Sequence, residues 1–328
     1  MKKGKEVIVW CITVTALLVV FLYAVNTGSL KVTPVQLFKG LFIAYDPQVA
    51  TVYDLRFPRI IVAMLGGAAT AVSGVLLQAV MKNPLADPGI IGVSSGASFV
   101  AVLVTAFVPA LYFYTPILAF IGGMAAFIMV YGLSWKGGLS LLRIILVGVA
   151  VNAMFTGLMS AFNSSTGSSY SGVASIVNAN ITMKTWSDVR ILFVYTAIGL
   201  IASVFVLGRC NLLALEDKTA RSIGVNVTGT RIAVSVIAVL LASISTAVIG
   251  PISFLGLIVP HIARLLVGSN HKVLVPYSIV LGAFMLLCAD TLGRTIAAPY
   301  EISASVIMSV IGGPFFIILL RRSKKNYG

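Results

Sequence analysis

Charge is scarce in this sequence. Only 10% of its 328 residues are Asp, Glu, Lys or Arg, whereas ordinary water-soluble domains have roughly 25%. Hydrophobic residues make up 59% of the chain, and its mean hydropathy is +1.05. A surface with so few charges is suited to lipid rather than to water. The composition therefore excludes a water-soluble domain and indicates an integral membrane protein.

Cysteine and histidine are also few. Cys11, Cys210 and Cys288 are far apart, and the only histidines are His261 and His271. These residues form no zinc-ligand spacing and no disulfide framework, and no Ser/His/Asp arrangement accompanies them. We therefore expect no catalytic residue, no metal site and no cofactor.

The phosphate-binding loop of nucleotide-hydrolysing proteins is missing. No Gly-x-x-x-x-Gly-Lys-Ser/Thr sequence occurs, the pattern whose backbone amides hold the phosphates of a nucleotide. We conclude that the chain is not itself an ATPase. Any transport powered by ATP would depend on a partner chain.

The sequence does contain a series of long apolar runs. A membrane-spanning helix needs about 20 mostly apolar residues, and ten stretches meet or approach that length. They are 7–24, 59–81, 90–108, 115–133, 141–162, 189–207, 232–249, 252–267, 275–295 and 302–320. The predicted fold class is an all-α integral membrane protein of about ten transmembrane helices, with residues 1–328 forming a single domain.

Ten spans place both termini on one side of the membrane. The flanking basic residues are Lys2, Lys3, Lys5, Arg321, Arg322, Lys324 and Lys325. They predict that this side is the cytoplasm, and the loops assigned to the same side hold most of the other basic residues. The basic start before 7–24 is also typical of a signal peptide. Because the apolar run is too long and no small-residue cleavage site clearly follows, we interpret 7–24 as the first span.

Several features inside the predicted spans concern packing. Runs of small residues such as 66–69 indicate either close packing of helices or the lining of a wide conduit. The shortest span, 252–267, contains Pro260 and is expected to be surrounded by protein. Asp87 followed by Pro88 is typical of a helix start, and it predicts an N-cap for the third span.

A polar loop at 210–231 interrupts the apolar pattern. Within it, Glu216, Ala220 and Ile223 follow helical spacing, and Gly224 is a natural helix stop. The sequence predicts a short amphipathic helix on the cytoplasmic side.

Asp217 and Arg221 in the same loop are spaced for an ion pair one helical turn apart. Two interpretations of this helix stay open. It is either a solvated loop helix or a lever presented to a cytoplasmic partner.

Three arginines lie where the predicted topology disfavours basic residues. Arg56 and Arg59 precede the second span, and Arg294 ends the ninth, all on the outer side. A guanidinium group is a planar fork that matches a carboxylate. The arginines could therefore meet an acidic partner outside the cell or pair with Asp54 and Asp290 within the chain.

Six groups of residues occur in a characteristic order. They are Leu55-Arg56-Phe57-Pro58-Arg59; Ser73-Gly74-Val75-Leu76-Leu77-Gln78; Asn83-Pro84-Leu85-Ala86-Asp87-Pro88 with Gly92-Val93-Ser94-Ser95-Gly96-Ala97; Ala220-Arg221-Ser222-Ile223-Gly224-Val225; Phe254-Leu255-Gly256-Leu257-Ile258-Val259-Pro260-His261 with Arg264; and Ala289-Asp290 with Arg294. In this order, over nearly the whole chain, they resemble the permease family of ATP-binding-cassette importers for iron-siderophores, haem and cobalamin.

The resemblance implies a bundle like that of cobalamin-importer permeases in a bacterial plasma membrane. Its implied partners are a second permease subunit, two cytoplasmic ATP-binding subunits and an extracytoplasmic substrate-binding protein. The positions that would couple to the ATPase are Glu216, Ala220, Arg221, Gly224 and Val225. The positions that would dock the binding protein are Arg56, Arg59 and Arg294.

The cargo is not readable from the residues themselves. The resemblance makes a ferric siderophore the first expectation, with haem and cobalamin as alternatives. The stretches 176–181 and 301–305 depart from the usual pattern of the family. We therefore predict a different chain as the partner permease, in a heterodimer, with a homodimer as the alternative.

Two other functional classes fit less well. A secondary transporter driven by an ion gradient would need carboxylates within the membrane, and only Asp290 comes near such a position. A receptor or scaffold without transport would leave the polar loops at 163–180 and 210–231 without a joint purpose.

Overall fold

The computed structural model describes residues 2–28, 30–134, 141–166 and 173–323. Lys324 and Lys325, used above to orient the C-terminus, lie outside the described residues. In the described part the chain forms fifteen α-helices and one short 3-10 helix. These are α1 (Lys2–Asn26), α2 (Pro34–Phe42), α3 (Pro47–Leu55), α4 (Phe57–Met81), α5 (Val93–Phe107), the 3-10 helix (Pro109–Tyr114), α6 (Thr115–Ser134), α7 (Leu141–Thr166), α8 (Val173–Val177), α9 (Trp186–Val204), α10 (Leu207–Leu213), α11 (Asp217–Ser222), α12 (Val227–Ile249), α13 (Leu255–Val267), α14 (His271–Ile296) and α15 (Ala304–Ser323).

Each of the ten predicted spans coincides with an apolar helix. Among the described residues, seven helical segments are long and apolar enough to cross a membrane. Three shorter apolar helices, α5, α13 and α15, account for the other predicted spans. The predicted fold class, an all-α integral membrane protein, is therefore confirmed.

Helix α4 lies at the centre of the bundle, packed against α9, α12, α13 and α14. Its glycines allow its backbone to come into direct contact with the backbones of neighbouring helices. A Cβ atom on Gly67 would lie 2.3 Å from the carbonyl oxygen of Gly282, and one on Gly74 would lie 2.0 Å from that of Gly256. These glycines therefore serve close helix packing, the first of the two interpretations that the sequence left open.

Helix α13 begins inside the bundle rather than at its surface. The side chain of Ile249, at the end of α12, lies beside Gly66 of α4, whereas Gly256 lies beside Gly74. At 1.5 Å per helical residue these two levels of α4 are about 12 Å apart. The non-helical segment 250–254 thus runs into the membrane between protein elements, where such backbone is tolerated. The expectation that this short span is surrounded by protein is confirmed by the burial of residues 255–260.

The prediction that Asp87 caps the third span is wrong. Helix α5 begins at Val93, after Gly92 in a left-handed conformation with φ +86°. The Asp87 carboxylate instead accepts hydrogen bonds from the amides of Gly89, at 2.8 Å, and Ile90, at 3.1 Å, in a turn before the helix. Its other oxygen lies where a Cβ atom on Gly256 would be only 2.9 Å away. Asp87 therefore closes this turn against the start of α13.

Two short helices, α2 and α3, precede α4 and were not predicted. Thr33 accepts a hydrogen bond from the amide of Gln36 at the start of α2. Asp46 does the same for Gln48 and Val49 at the start of α3. Both helices then continue with proline in their first turn, which is a common way to begin a helix.

Candidate functional site

The loop at 210–231 folds into the short helices α10 and α11. Helix α11 covers only Asp217–Ser222, with Glu216 as its N-cap residue. Its end is closed by two hydrogen bonds, from Val225 N–H to the carbonyl of Ala220 at 3.0 Å and from Gly224 N–H to that of Arg221 at 2.9 Å. This arrangement needs a residue with positive φ, and Gly224 supplies it with φ +82°.

The three residues that follow helical spacing in the predicted amphipathic helix differ in burial. Ala220 is buried, but Glu216 and Ile223 lie at the two ends of α11 and are exposed. Arg221 and Gly224 are exposed as well. Helix α11 is therefore held by one small buried residue and presents the other sequence-predicted positions outward, with Val225 half-buried.

Asp217 forms two ion pairs, neither of them with Arg221. One oxygen of its carboxylate lies 2.9 Å from Lys82 Nζ and 2.9 Å from a guanidinium nitrogen of Arg231. Lys82 also donates a hydrogen bond to the carbonyl of Leu215. Arg221 makes no direct ion pair with Asp217, because α11 turns Asp217 towards the end of α4 and the start of α12, but the charge of Arg221 still contributes to lowering the pKa of Asp217. We call the contacts of Asp217 with Lys82 and Arg231 the α11 brace.

The pKa of Asp217 is lower than the ordinary value for an aspartate. The hydrogen bond from Lys82, opposed by partial burial and aided by the charge of Arg231, lowers this pKa. A carboxyl with a lowered pKa stabilises the fold above its ordinary pKa and loses this effect as pH falls through the lowered value. The Asp217 carboxylate therefore carries its negative charge at physiological pH.

The three arginines that were predicted to lie on the outer side are close together. Arg59 donates to both oxygens of Asp290, with a shortest distance of 2.8 Å, and to both oxygens of Glu301, with a shortest distance of 2.9 Å. Arg294 also contacts Asp290, with Nε 3.3 Å from its carboxylate. The guanidinium group of Arg56 donates to the carbonyls of Val25 and Leu30. We call Arg56, Arg59, Arg294, Asp290 and Glu301 the outer charge cluster.

The outer charge cluster is mostly neutralised within the chain. Three positive charges meet two carboxylates, supplied by Asp290 and Glu301 rather than by Asp54. The side chains of Arg59 and Arg294 are 9% and 7% exposed, whereas that of Glu301 is 40% exposed. An approaching protein would therefore meet Glu301 before the buried guanidinium groups.

Glu301 also joins the two stretches that depart from the family pattern. The hydroxyl group of Thr182, directly after 176–181, donates to Glu301 at 2.9 Å. Burial would raise the pKa of Glu301, but the charge and hydrogen bonds of Arg59 hold it below its ordinary value. The contact is not readable from the sequence, because the two residues are 119 positions apart.

Both histidines contact neighbouring side chains of the fold. The backbone N–H of His271 donates to the side-chain oxygen of Asn211 at 2.9 Å, and its ring nitrogen Nδ1 lies 2.7 Å from the same atom. His261 packs edge-on against Phe315. Within the described residues, no group of three His, Cys, Asp or Glu side chains converges on a metal position.

The apolar helices, the enclosed start of α13 and the exposed helix α11 at one end define a membrane permease. The chain belongs to the FecCD transport family, whose model matches residues 16–322. It is an importer permease of the ATP-binding-cassette class.

Known proteins match almost the whole chain. A probable heme-iron transport system permease protein, IsdF, of Staphylococcus aureus strain Newman is 41% identical over 325 residues, which cover 99% of this chain and 98% of the relative. IsdF of strain MSSA476 gives the same identity and coverage.

Two solved structures share the fold. An inward-facing metal-chelate type ABC transporter matches 98% of this chain and 99% of its own, with a TM-score of 0.74 and 25% identity. PsaBC from Streptococcus pneumoniae in complex with Fab matches 87% of this chain and 95% of its own, with a TM-score of 0.59 and 18% identity. At 18% identity the second match supports the fold alone.

Proposed function

We propose that this chain forms the translocation pathway of an importer that moves an iron chelate across a bacterial plasma membrane, with both termini in the cytoplasm. The observation that carries the proposal is the α11 brace. It ties an exposed cytoplasmic helix to Lys82, directly after the central helix α4. A displacement of α11 would therefore be transmitted to the most enclosed helix of the bundle.

Separate ATP-binding subunits would drive transport by hydrolysing ATP. In this proposal the exposed side chains of Glu216 and Arg221 contact the ATPase, whereas buried Ala220 anchors α11 to the permease. Gly224 and Val225 close the helix and set its shape. The five predicted coupling residues thus divide between three roles: contact with the ATPase, anchoring of α11 and closure of the helix.

Haem is the leading cargo candidate. The 41% identical relatives are described as heme-iron permeases, and this outweighs the first expectation of a ferric siderophore. A siderophore stays the second candidate because the first structural match is described as a metal-chelate type transporter. Cobalamin is the third, on family resemblance alone.

The proposal is tested by uptake in cells that lack the native copy of this chain. Wild-type permease should restore uptake of iron-55 supplied as haem, and uptake of iron-55 as ferric siderophore should respond less. Asp217→Asn removes the charge shared by Lys82 and Arg231, and we expect uptake to fall severalfold at normal expression. Asp54→Asn, an exposed carboxylate outside the brace, is the matched control.

Two outcomes would contradict the proposal. Restoration of neither form of iron uptake would reject the iron-chelate assignment. Normal uptake by the Asp217→Asn variant would reject the brace as the transmitting element, while leaving the family membership unaffected.

A further inference from the structure

Helices α6 and α12 enclose a groove next to α11. The groove has a volume of about 740 Å³. Its apolar lining consists of Met124, Phe127, Ile128, Tyr131, Ile232 and Val236. The side chains of Ile128 and Ile232 are each 61% exposed. Because both helices are membrane spans, these side chains face lipid unless a partner covers them.

The groove follows α6 and α12 for most of the depth of one leaflet of the bilayer. On α12 its lining runs from Thr228 to Val236, about 12 Å along the helix. On α6 its lining runs from Met124 to Tyr131, about 10 Å along the helix. Half of the ~30 Å hydrocarbon core is about 15 Å. The walls of the groove could therefore contact most of the length of a lipid tail in a single leaflet.

The mouth of the groove is basic. Two arginines, Arg221 and Arg231, line it together with one carboxylate, that of Asp217. One terminal nitrogen of Arg231 binds Asp217 at 2.9 Å, but its Nε is buried without a hydrogen-bond partner. A buried donor without a partner is costly. An acceptor oxygen at the mouth would satisfy it.

We propose that this groove binds one anionic phospholipid, with a tail between α6 and α12 and the phosphate at Arg231. Basic pockets between membrane helices near the inner surface suit anionic headgroups. Tyr131 lies near the end of α6, at the level where aromatic side chains favour the membrane interface. The lipid would also contact Arg231, a member of the α11 brace.

The test measures lipid retention by the full-length chain. Purified, delipidated protein is incubated with phosphatidylglycerol or phosphatidylcholine in mild detergent, and bound lipid is counted by native mass spectrometry. Wild type should retain phosphatidylglycerol in preference to phosphatidylcholine. Arg231→Gln should reduce that retention about fivefold, the contribution of one basic residue to binding an anionic lipid surface.

Three further variants separate the groove from general effects on the protein. Val236→Trp fills the groove without changing charge and should also reduce retention. Arg209→Gln removes an exposed charge of α10, and Ile121→Trp enlarges an exposed apolar residue of α6, both outside the groove. These two controls should retain lipid like wild type.

Equal retention of the two lipids, or wild-type retention by both Arg231→Gln and Val236→Trp, would overturn the proposal. Displacement of phosphatidylglycerol by glycerol 3-phosphate would show a site for the headgroup alone and would also contradict it. Loss of the bound lipid when a partner permease is added would assign the groove to a protein interface instead.

Discussion

Gly224 is the residue whose backbone conformation most restricts substitution in the loop at 210–231. With φ +82° it closes α11, and a Cβ atom there would meet nothing within 4 Å. A side chain would therefore be disfavoured by about 1–2 kcal/mol through backbone strain rather than through a clash. We expect Gly224→Leu to abolish most stimulated ATP hydrolysis in the assembled complex while the permease still folds.

Gly208→Leu is the matched control for this change. Gly208 lies in α10 of the same loop, has open space around its Cβ position and has no positive φ. Leucine also favours a helix over glycine, so hydrolysis should stay near the wild-type level. Normal transport and hydrolysis by the Gly224→Leu variant would refute its assignment to the coupling helix.

Docking of the binding protein can be tested at Glu301, the most exposed carboxylate of the outer charge cluster. We propose that acidic groups of the binding protein are attracted by the net positive charge of this cluster. Glu301→Gln removes one negative charge and frees a nitrogen of Arg59, so affinity should rise a few-fold at low salt, where screening is weakest.

Arg56→Gln is the counterpart of this change. It removes a positive charge from the cluster and should weaken docking. Affinities measured by surface plasmon resonance at low and high ionic strength check both changes. If neither variant altered the affinity at low salt, the arginines would have a purely structural role.

Among the helices, α4 and α13 approach each other closely at Gly74 and Gly256. A Cβ atom on Gly74 would lie 2.0 Å from the carbonyl oxygen of Gly256 and 2.6 Å from its Cα. Because both atoms belong to the backbone, α13 would have to move. We expect Gly74→Ala to lower thermal stability in detergent by roughly 1–3 kcal/mol and to reduce transport.

Gly132→Ala, in α6, is the control for this packing prediction. A Cβ atom on Gly132 would have nothing within 4 Å, so the variant should be as stable as wild type or slightly more stable. Scanning fluorimetry of both purified variants measures their melting temperatures, and that of the Gly74→Ala variant should be lower. Equal melting temperatures would show that α4 and α13 separate easily.

The elements were predictable from sequence to different degrees. The spans were recovered because about 20 apolar residues in a row have few alternatives to a membrane helix. Helices α2 and α3 were missed, although Thr33-Pro34 and Asp46-Pro47 are typical helix starts. The depth at which α13 begins depends on packing against α4, which no local pattern encodes.

The same distinction applies to the functional residues. The spacing within 216–225 predicted a helix close to the observed α11. It could not reveal that Asp217 pairs with Lys82, because the two residues are 135 positions apart. The sequence offered Asp290 as a possible partner of the outer arginines. Glu301 stood out only as part of a stretch that departs from the family pattern. The sequence could not show which long-range ion pairs form, because each charged residue had several oppositely charged residues as possible partners.

For the whole molecule, we predict pairing with a different permease chain. Thr182, directly after the stretch 176–181, contacts Glu301 of the stretch 301–305, and a second subunit could complement both stretches on this side, which is the outer one in the proposed topology. Cross-linking in native membranes, through a single cysteine at exposed Met183, should give products with another chain. A Cys11→Ser, Cys288→Ser background limits reaction elsewhere.

The contrary result would be products of this chain with itself alone, together with full transport when no other permease is present. That outcome would establish a homodimer. A variant with cysteine at the exposed cytoplasmic residue Lys218, on the opposite side in the proposed topology, is the control for non-specific reaction.

The contact between Arg59 and Asp290 also has a consequence for the synthesis and membrane insertion of the protein. The two residues are 231 positions apart, and ribosomes add about 5–20 residues per second, so they are synthesised roughly 10–50 seconds apart. We expect Arg59 to reach the membrane region during this interval without either of its counter-ions, Asp290 and Glu301. The nascent chain therefore depends on water at the outer surface, or on the insertion machinery, to shelter this charge until α14 arrives.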